Sequence, residues 1–99
     1  MSKPTLMLLV RLKSSLPTEQ IEAVVEERAP EFRALEGLQQ KYYIHNAQTG
    51  EYGGLYLWES EEALTAYRKS ELRASIAKAY QAEGEPQVEL FQITKILRD

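Results

Sequence analysis

The chain has no cysteine, one histidine and one tryptophan, and its only aspartate is the last residue. Each scarcity removes a class of chemistry. Without cysteine there is no disulfide, thiolate nucleophile, iron–sulfur ligation or common structural zinc site. With His45 and Asp99 each alone of their kind, one chain cannot assemble an ordinary His and Asp metal site, so no metal is expected. Basic residues are too few and too scattered to form a stripe: 12 Lys and Arg face 15 Asp and Glu, for a net charge of -3. Nothing here neutralises a phosphate backbone or an anionic membrane surface, so nucleic acid and membrane are not expected partners. Long apolar runs are missing as well. MSKPTLMLLVRLK is interrupted at Arg11, lacks a small-residue cleavage site, and is far below the roughly 20 residues a membrane span needs. A cytoplasmic location is the resulting expectation. Gly53 and Gly54 lack the G-x-G-x-x-G spacing and a following helix, so they signal backbone freedom and close packing rather than a dinucleotide site.

What is present describes one domain over residues 1–99, with 43% apolar and 27% charged residues. Thr5 to Lys13 is Leu-rich and apolar on both faces, with Leu6, Leu8, Val10 and Leu12 opposite Met7 and Leu9, which predicts a strand needing cover on two sides. From Leu16 the period becomes helical through Ile21, Val24, Val25, Ala29, Phe32 and Leu35, with glutamates on the other face. Ser15 or Thr18 is the expected cap, Pro17 suits the first turn, Pro30 should kink or divide the helix, and Gly37 ends it. Residues 38–45 and 54–59 form two β-rich arms around NAQTGEYG, whose Asn46, Gly50 and Gly53 supply a hairpin turn. Ser60, Glu61 and Glu62 open a second helix with Leu64 and Tyr67 inward. A break near Ser70 precedes a further helical piece through Leu72, Ile76, Ala79 and Tyr80, and Val88 to Leu97 alternates as a last strand.

This order predicts a ferredoxin-like βαββαβ fold, a four-stranded antiparallel sheet with helices on one face. The opposite face is left bare, and the two-sided first strand predicts that a second copy covers it. A homodimer forming a dimeric α+β barrel follows, with an interface of about 800 Å² per partner expected.

The hairpin raises the functional question. KYYIHNAQTGEYGGLYLWES contains five of the nine aromatic residues, the only tryptophan among them, and the only histidine. GLQQKYYIHNAQTGEYGGLYLWESEEALTAYRKSEL resembles the signature of the small monooxygenases of the dimeric α+β barrel superfamily, relatives of the antibiotic-biosynthesis monooxygenases. The elements that carry the resemblance are KYYI, TGEYGG, LYLWES and a helix with Ala63, Ala66 and Tyr67. It implies a pocket between sheet and helices, and oxidation of an electron-rich aromatic such as a phenol or hydroquinone by molecular oxygen without flavin, haem or metal. Haem-degrading relatives place their histidine on a helix. His45 stands beside Asn46 at a strand end, so the Asn46, Trp58 and His45 set is not carried over as a haem site.

A cofactorless oxygenase must make its substrate the electron donor, which needs a proton acceptor, hydrogen-bond donors and a dry wall. Histidine is the side chain whose ordinary titration, at about pH 6.5, suits proton exchange near neutrality, so His45 and Tyr43 are the catalytic candidates. Trp58, Tyr56 and Tyr67 are the substrate-binding candidates, through stacking and an N–H or O–H donor. Beside this stand bland readings: a surface His45, a Trp58 and a Tyr67 that fill the core, and one of Tyr42 and Tyr43 used only in packing. Lys41 and Glu59, inside apolar arms, are read as structural charges that are ion-paired or solvated. Two other functions use the same pocket, a non-catalytic aromatic-binding or assembly module and a proton-transfer isomerase.

Overall fold

Residues 3–98 are described by a computed structural model. The elements run β1 (Leu6–Leu12), α1 (Thr18–Arg33), β2 (Leu38–His45), β3 (Tyr52–Trp58), α2 (Glu61–Arg68), α3 (Glu71–Ala74), α4 (Ile76–Ala79) and β4 (Gln87–Gln92). The sheet order is β2-β3-β1-β4 and every neighbouring pair is antiparallel. This is the ferredoxin-like α+β plan, with the most apolar strand, β1, in the interior of the sheet.

Alternation along the strands decides which residues enter the core. Leu8, Val10 and Leu12 of β1 and Tyr56 and Trp58 of β3 point under the helices and are buried. Ile21 and Phe32 of α1, Leu64 and Tyr67 of α2, and Ile76 and Tyr80 close over them. The reverse face carries Met7, Leu9, Leu55 and Leu57 in the middle and Tyr42, Ile44 and Phe91 toward the edges. The last three are exposed. Arg11 on that face pairs with Glu89 at 2.9 Å and Glu51 at 3.7 Å.

Local chemistry differs from the sequence-based expectation at four places. Pro17, not Ser15 or Thr18, is the N-cap of α1, with no side-chain cap. The Thr18 hydroxyl is engaged by Tyr52 Oη at 3.1 Å and the Ser15 hydroxyl bonds the Gln81 carbonyl at 3.4 Å, so tertiary partners claim both. Pro30 does not divide the helix, which continues to Arg33. A proline in the last turn removes one helical hydrogen bond, and buried Phe32 just beyond it anchors that turn. β3 begins at Tyr52, two residues before the expected start. β4 ends at Gln92 rather than Leu97, because Gln92 pairs with Leu6 and the Ile93 N–H bonds the Thr5 carbonyl at 2.9 Å, where β1 has run out. Leu97 is 85% exposed.

Candidate active site

The cavity lies between α1 and the turn end of the β2–β3 hairpin. Its volume is about 470 Å³, and its floor is formed by Val10, Leu12, Gly54 and Tyr56. Ile21 and Val25 of α1 and Ile76 and Tyr80 close it from above, and Glu22, Glu26 and His45 are exposed lining residues. The hairpin register, Lys41↔Tyr56, Tyr43↔Gly54 and His45↔Tyr52, sets Lys41, Tyr43 and His45 on the helix-covered face. Tyr42, opposite Leu55, faces the other way, so the two adjacent tyrosines are divided between cavity and outer sheet face.

The amine of Lys41 is the unusual group. Its Nζ stands 3.4 Å from the Phe32 ring centroid, 4.3 Å from that of Tyr43 and 4.5 Å from that of Tyr56. Among the described residues it has no carboxylate partner, so the ion pair expected for it is absent. Glu59 accepts a hydrogen bond from Gln39 Nε2 at 3.0 Å. Loss of water around Lys41, and then the nearby Arg28 guanidinium, push its pKa down to about 7. Arg28 is fixed by hydrogen bonds to Ser75 Oγ at 3.1 Å and the Leu72 carbonyl at 3.0 Å, so its charge is held in place. Gly54 makes room for this arrangement. A Cβ there would lie 2.9 Å from the Tyr56 ring and 3.0 Å from Lys41 Cε. A second cavity of about 370 Å³ shares Phe32, Lys41 and Tyr43 as its wall.

The five residues singled out from sequence divide. Tyr43, His45 and Tyr56 line the cavity. His45 stacks on Tyr52 with ring centroids 4.2 Å apart. Burial raises the Tyr43 pKa, so its hydroxyl stays protonated near neutrality. Burial also raises Tyr56 and Tyr67, whose hydroxyls share a hydrogen bond at 3.3 Å, and takes Tyr80 up to about 12. Trp58 and Tyr67 do not line the cavity. Trp58 is fully buried behind Tyr56, stacked on it at 6.2 Å and tilted against Tyr67 at 5.2 Å, and among the described residues its Nε1 has no hydrogen-bond partner. Their contribution is to hold Tyr56 from below. Trp58→Phe is therefore expected to lower stability by about 1–3 kcal/mol in urea unfolding while leaving affinity for small aromatics within about twofold.

No cluster of three or more His, Asp or Glu residues fit to hold a metal occurs among the described residues. None of their helices is long and apolar enough to cross a membrane.

The family model described as "Putative mono-oxygenase ydhR" matches residues 7–97. The chain belongs to this family. Its members' description agrees with the family read from KYYI, TGEYGG and LYLWES. The ydhR-type chain is also similar in fold to several solved structures. One is a protein of unknown function, NE2512 from Nitrosomonas europaea, at 16% identity and TM-score 0.76, covering 100% of this chain and 98% of that one. Another is SnoaB from Streptomyces nogalater, described as a cofactor-independent oxygenase, at 14% identity and TM-score 0.75, covering 97% and 99%. A third is a "putative antibiotic biosynthesis monooxygenase" from Caulobacter crescentus, at 17% identity and TM-score 0.75, covering 94% and 92%. At these identities the likeness concerns the fold. No curated protein matches the chain.

Proposed function

We propose that this ydhR-family chain is a homodimeric, cofactor-independent monooxygenase that oxidises a small electron-rich phenol or hydroquinone with molecular oxygen. The observation that carries the reading is a half-buried amine, poised near neutrality, in the wall of an aromatic-lined cavity. A phenol stacked against Tyr43 and Tyr56 gives its proton to Lys41. The ammonium so formed then faces the phenolate, and the ring faces that surround it favour the charge. The Tyr43 hydroxyl donates a hydrogen bond to the developing oxyanion. His45, at the exposed end of the hairpin, passes the proton on to solvent. The phenolate, unlike the phenol, is electron-rich enough to reduce triplet oxygen by one electron, after which the radical pair combines at a ring carbon. The peroxide takes up a proton, and loss of that carbon's hydrogen as a proton with cleavage of the O–O bond releases water and leaves one oxygen as a carbonyl. The description of SnoaB as a cofactor-independent oxygenase supports this assignment, as does the family's own.

Metal-stripped protein supplied with a panel of hydroquinones and anthrone-like phenols is expected to consume oxygen, measured by electrode. His45→Ala is expected to slow uptake by about tenfold, a relay effect smaller than loss of the primary acceptor. Binding of the aromatics without uptake by any panel member would replace this reading with a binding module or an isomerase.

The second copy is proposed from the reverse face of the sheet. Leu9, Leu55 and Leu57 form its centre, with Tyr42, Ile44 and Phe91 around them, a contiguous apolar surface too large to leave in water on so small a domain. Covering about 800 Å² per partner at roughly 25 cal/mol per Å² of apolar area is worth several kcal/mol before association costs. Sedimentation at micromolar concentration is expected to give twice the 11.4 kDa chain mass, and a species of 11.4 kDa would contradict it.

A further inference from the structure

We propose that Lys41 is a carbonyl-trapping amine that condenses reversibly with a small uncharged aromatic aldehyde or ketone held in the cavity, giving an imine. Three observations point there. The amine is half-buried on the wall shared by the two cavities, so a ligand in either reaches it. Among the described residues no carboxylate lies within ion-pairing distance to hold it as a locked ammonium. The Phe32, Tyr43 and Tyr56 ring faces surround Nζ at 3.4, 4.3 and 4.5 Å from their centroids, which suits a cation at that point, whether ammonium or protonated imine. Burial and the Arg28 charge bring the group down to about 7, so a free lone pair is available near neutrality.

The step balances without an oxidant or reductant. The nitrogen lone pair of Lys41 attacks the carbonyl carbon, and the π electrons move to oxygen. One proton passes from nitrogen to that oxygen, giving a carbinolamine. A second proton, given to the hydroxyl by the adjacent Tyr43 and returned to Tyr43 from the nitrogen, lets the C–O bond break and water leave as the C=N bond forms. Water reverses the sequence. The ligand class follows from the lining. Val10, Leu12 and Ile21 with the ring faces favour a planar apolar body, and Glu22 and Glu26 repel a keto acid's carboxylate.

This inference uses the amine of the oxygenase reading but needs neither oxygen nor a phenol, so either can fail while the other stands. The test is reductive trapping under nitrogen. Wild-type protein is incubated with benzaldehyde and sodium cyanoborohydride at pH 7, and modified residues are mapped by peptide mass spectrometry. Hydride delivered to the imine carbon leaves a benzyl group on the amine. The expected result is benzylation of Lys41 at least about tenfold faster than at Lys3, Lys13, Lys69, Lys78 or Lys95, saturating with aldehyde and slowed by benzyl alcohol. The fast phase is expected to vanish in Lys41→Met. Benzylation spread over the lysines without preference, or confined to the others, would overturn the proposal on the wild-type protein alone.

Discussion

Replacing Lys41 by methionine is expected to raise stability at pH 6 by about 1–3 kcal/mol while cutting oxygen uptake by about 100-fold. The two effects share one cause. An ordinary lysine titrates near 10.5, whereas Lys41 in the folded chain titrates near 7 because water is withdrawn from it and Arg28 stands nearby. Between those values the unfolded chain binds a proton that the folded chain has released, so the wild type gains stability as pH rises through this window. Below about 7 both forms are protonated and the full cost of holding the ammonium in the cavity wall remains. Methionine fills similar space without the charge. Cation–π attraction returns part of that cost, about 0.5–2 kcal/mol per ring face, which is why the expected gain is well below the full shift. The gap between variant and wild type should therefore be widest below pH 7 and shrink toward pH 10. Above pH 10 the raised pKa values of Tyr43, Tyr56, Tyr67 and Tyr80 bring a loss common to both proteins, since the unfolded tyrosines ionise first. Urea unfolding at pH 6, 7.5 and 9 measures this. A variant less stable at pH 6, or a gap that does not change with pH, would count against the environment assigned to Lys41.

Gly37→Ala is expected to cost about 3–5 kcal/mol, lowering the melting temperature by roughly 15 °C or more in a domain of this size. Gly37 links α1 to β2 with φ at +80°, where a side chain is strained. Its Cβ would also lie 2.3 Å from the Ala63 Cβ and 3.4 Å from Glu59 Cγ. Ala63 cannot yield easily. Its N–H is held by Ser60 Oγ at 3.1 Å in the first turn of α2, and the Gly37 carbonyl accepts the Glu59 N–H at 2.8 Å. Relief requires α2 to lift off the sheet, which loosens Tyr67 from Trp58 and Tyr56 behind the cavity. Adding Ala63→Gly should recover the steric share, about 1–3 kcal/mol, and leave the conformational share. Equal thermal midpoints for wild type and Gly37→Ala would contradict the packing described.

The chain's element order was legible because the apolar period changes cleanly from two to 3.6 and back, and Gly37, Ser60 and Ser70 punctuate it. Pro30 and the end of β4 were not, for one reason: each boundary is set by a partner elsewhere. Phe32 keeps the last turn of α1 in place against the core, and β4 stops where β1 stops offering hydrogen bonds. The site followed the same division. Alternation put Tyr43 and His45 on one face of β2, and Tyr56 and Trp58 on one face of β3. Which of these meets a cavity depends on depth beneath α1, which periodicity does not encode, and so Tyr56 lines it while Trp58 fills the core. Lys41 was visible as a charge inside an apolar arm. An ion pair was the economical reading, since nothing in the sequence shows that Phe32, near the end of α1, and the cross-strand partner Tyr56 surround it with ring faces instead of a carboxylate.

In the proposed reaction, oxygen enters an aromatic substrate with the help of the protein's own side chains alone. Turnover of the best panel substrate by metal-stripped protein under isotopically labelled dioxygen, with products read by mass spectrometry, tests it most directly. One labelled oxygen atom per product molecule is expected, with no added flavin or metal. Product that carries its new oxygen from water, or that forms only after a metal or flavin is restored, would contradict it.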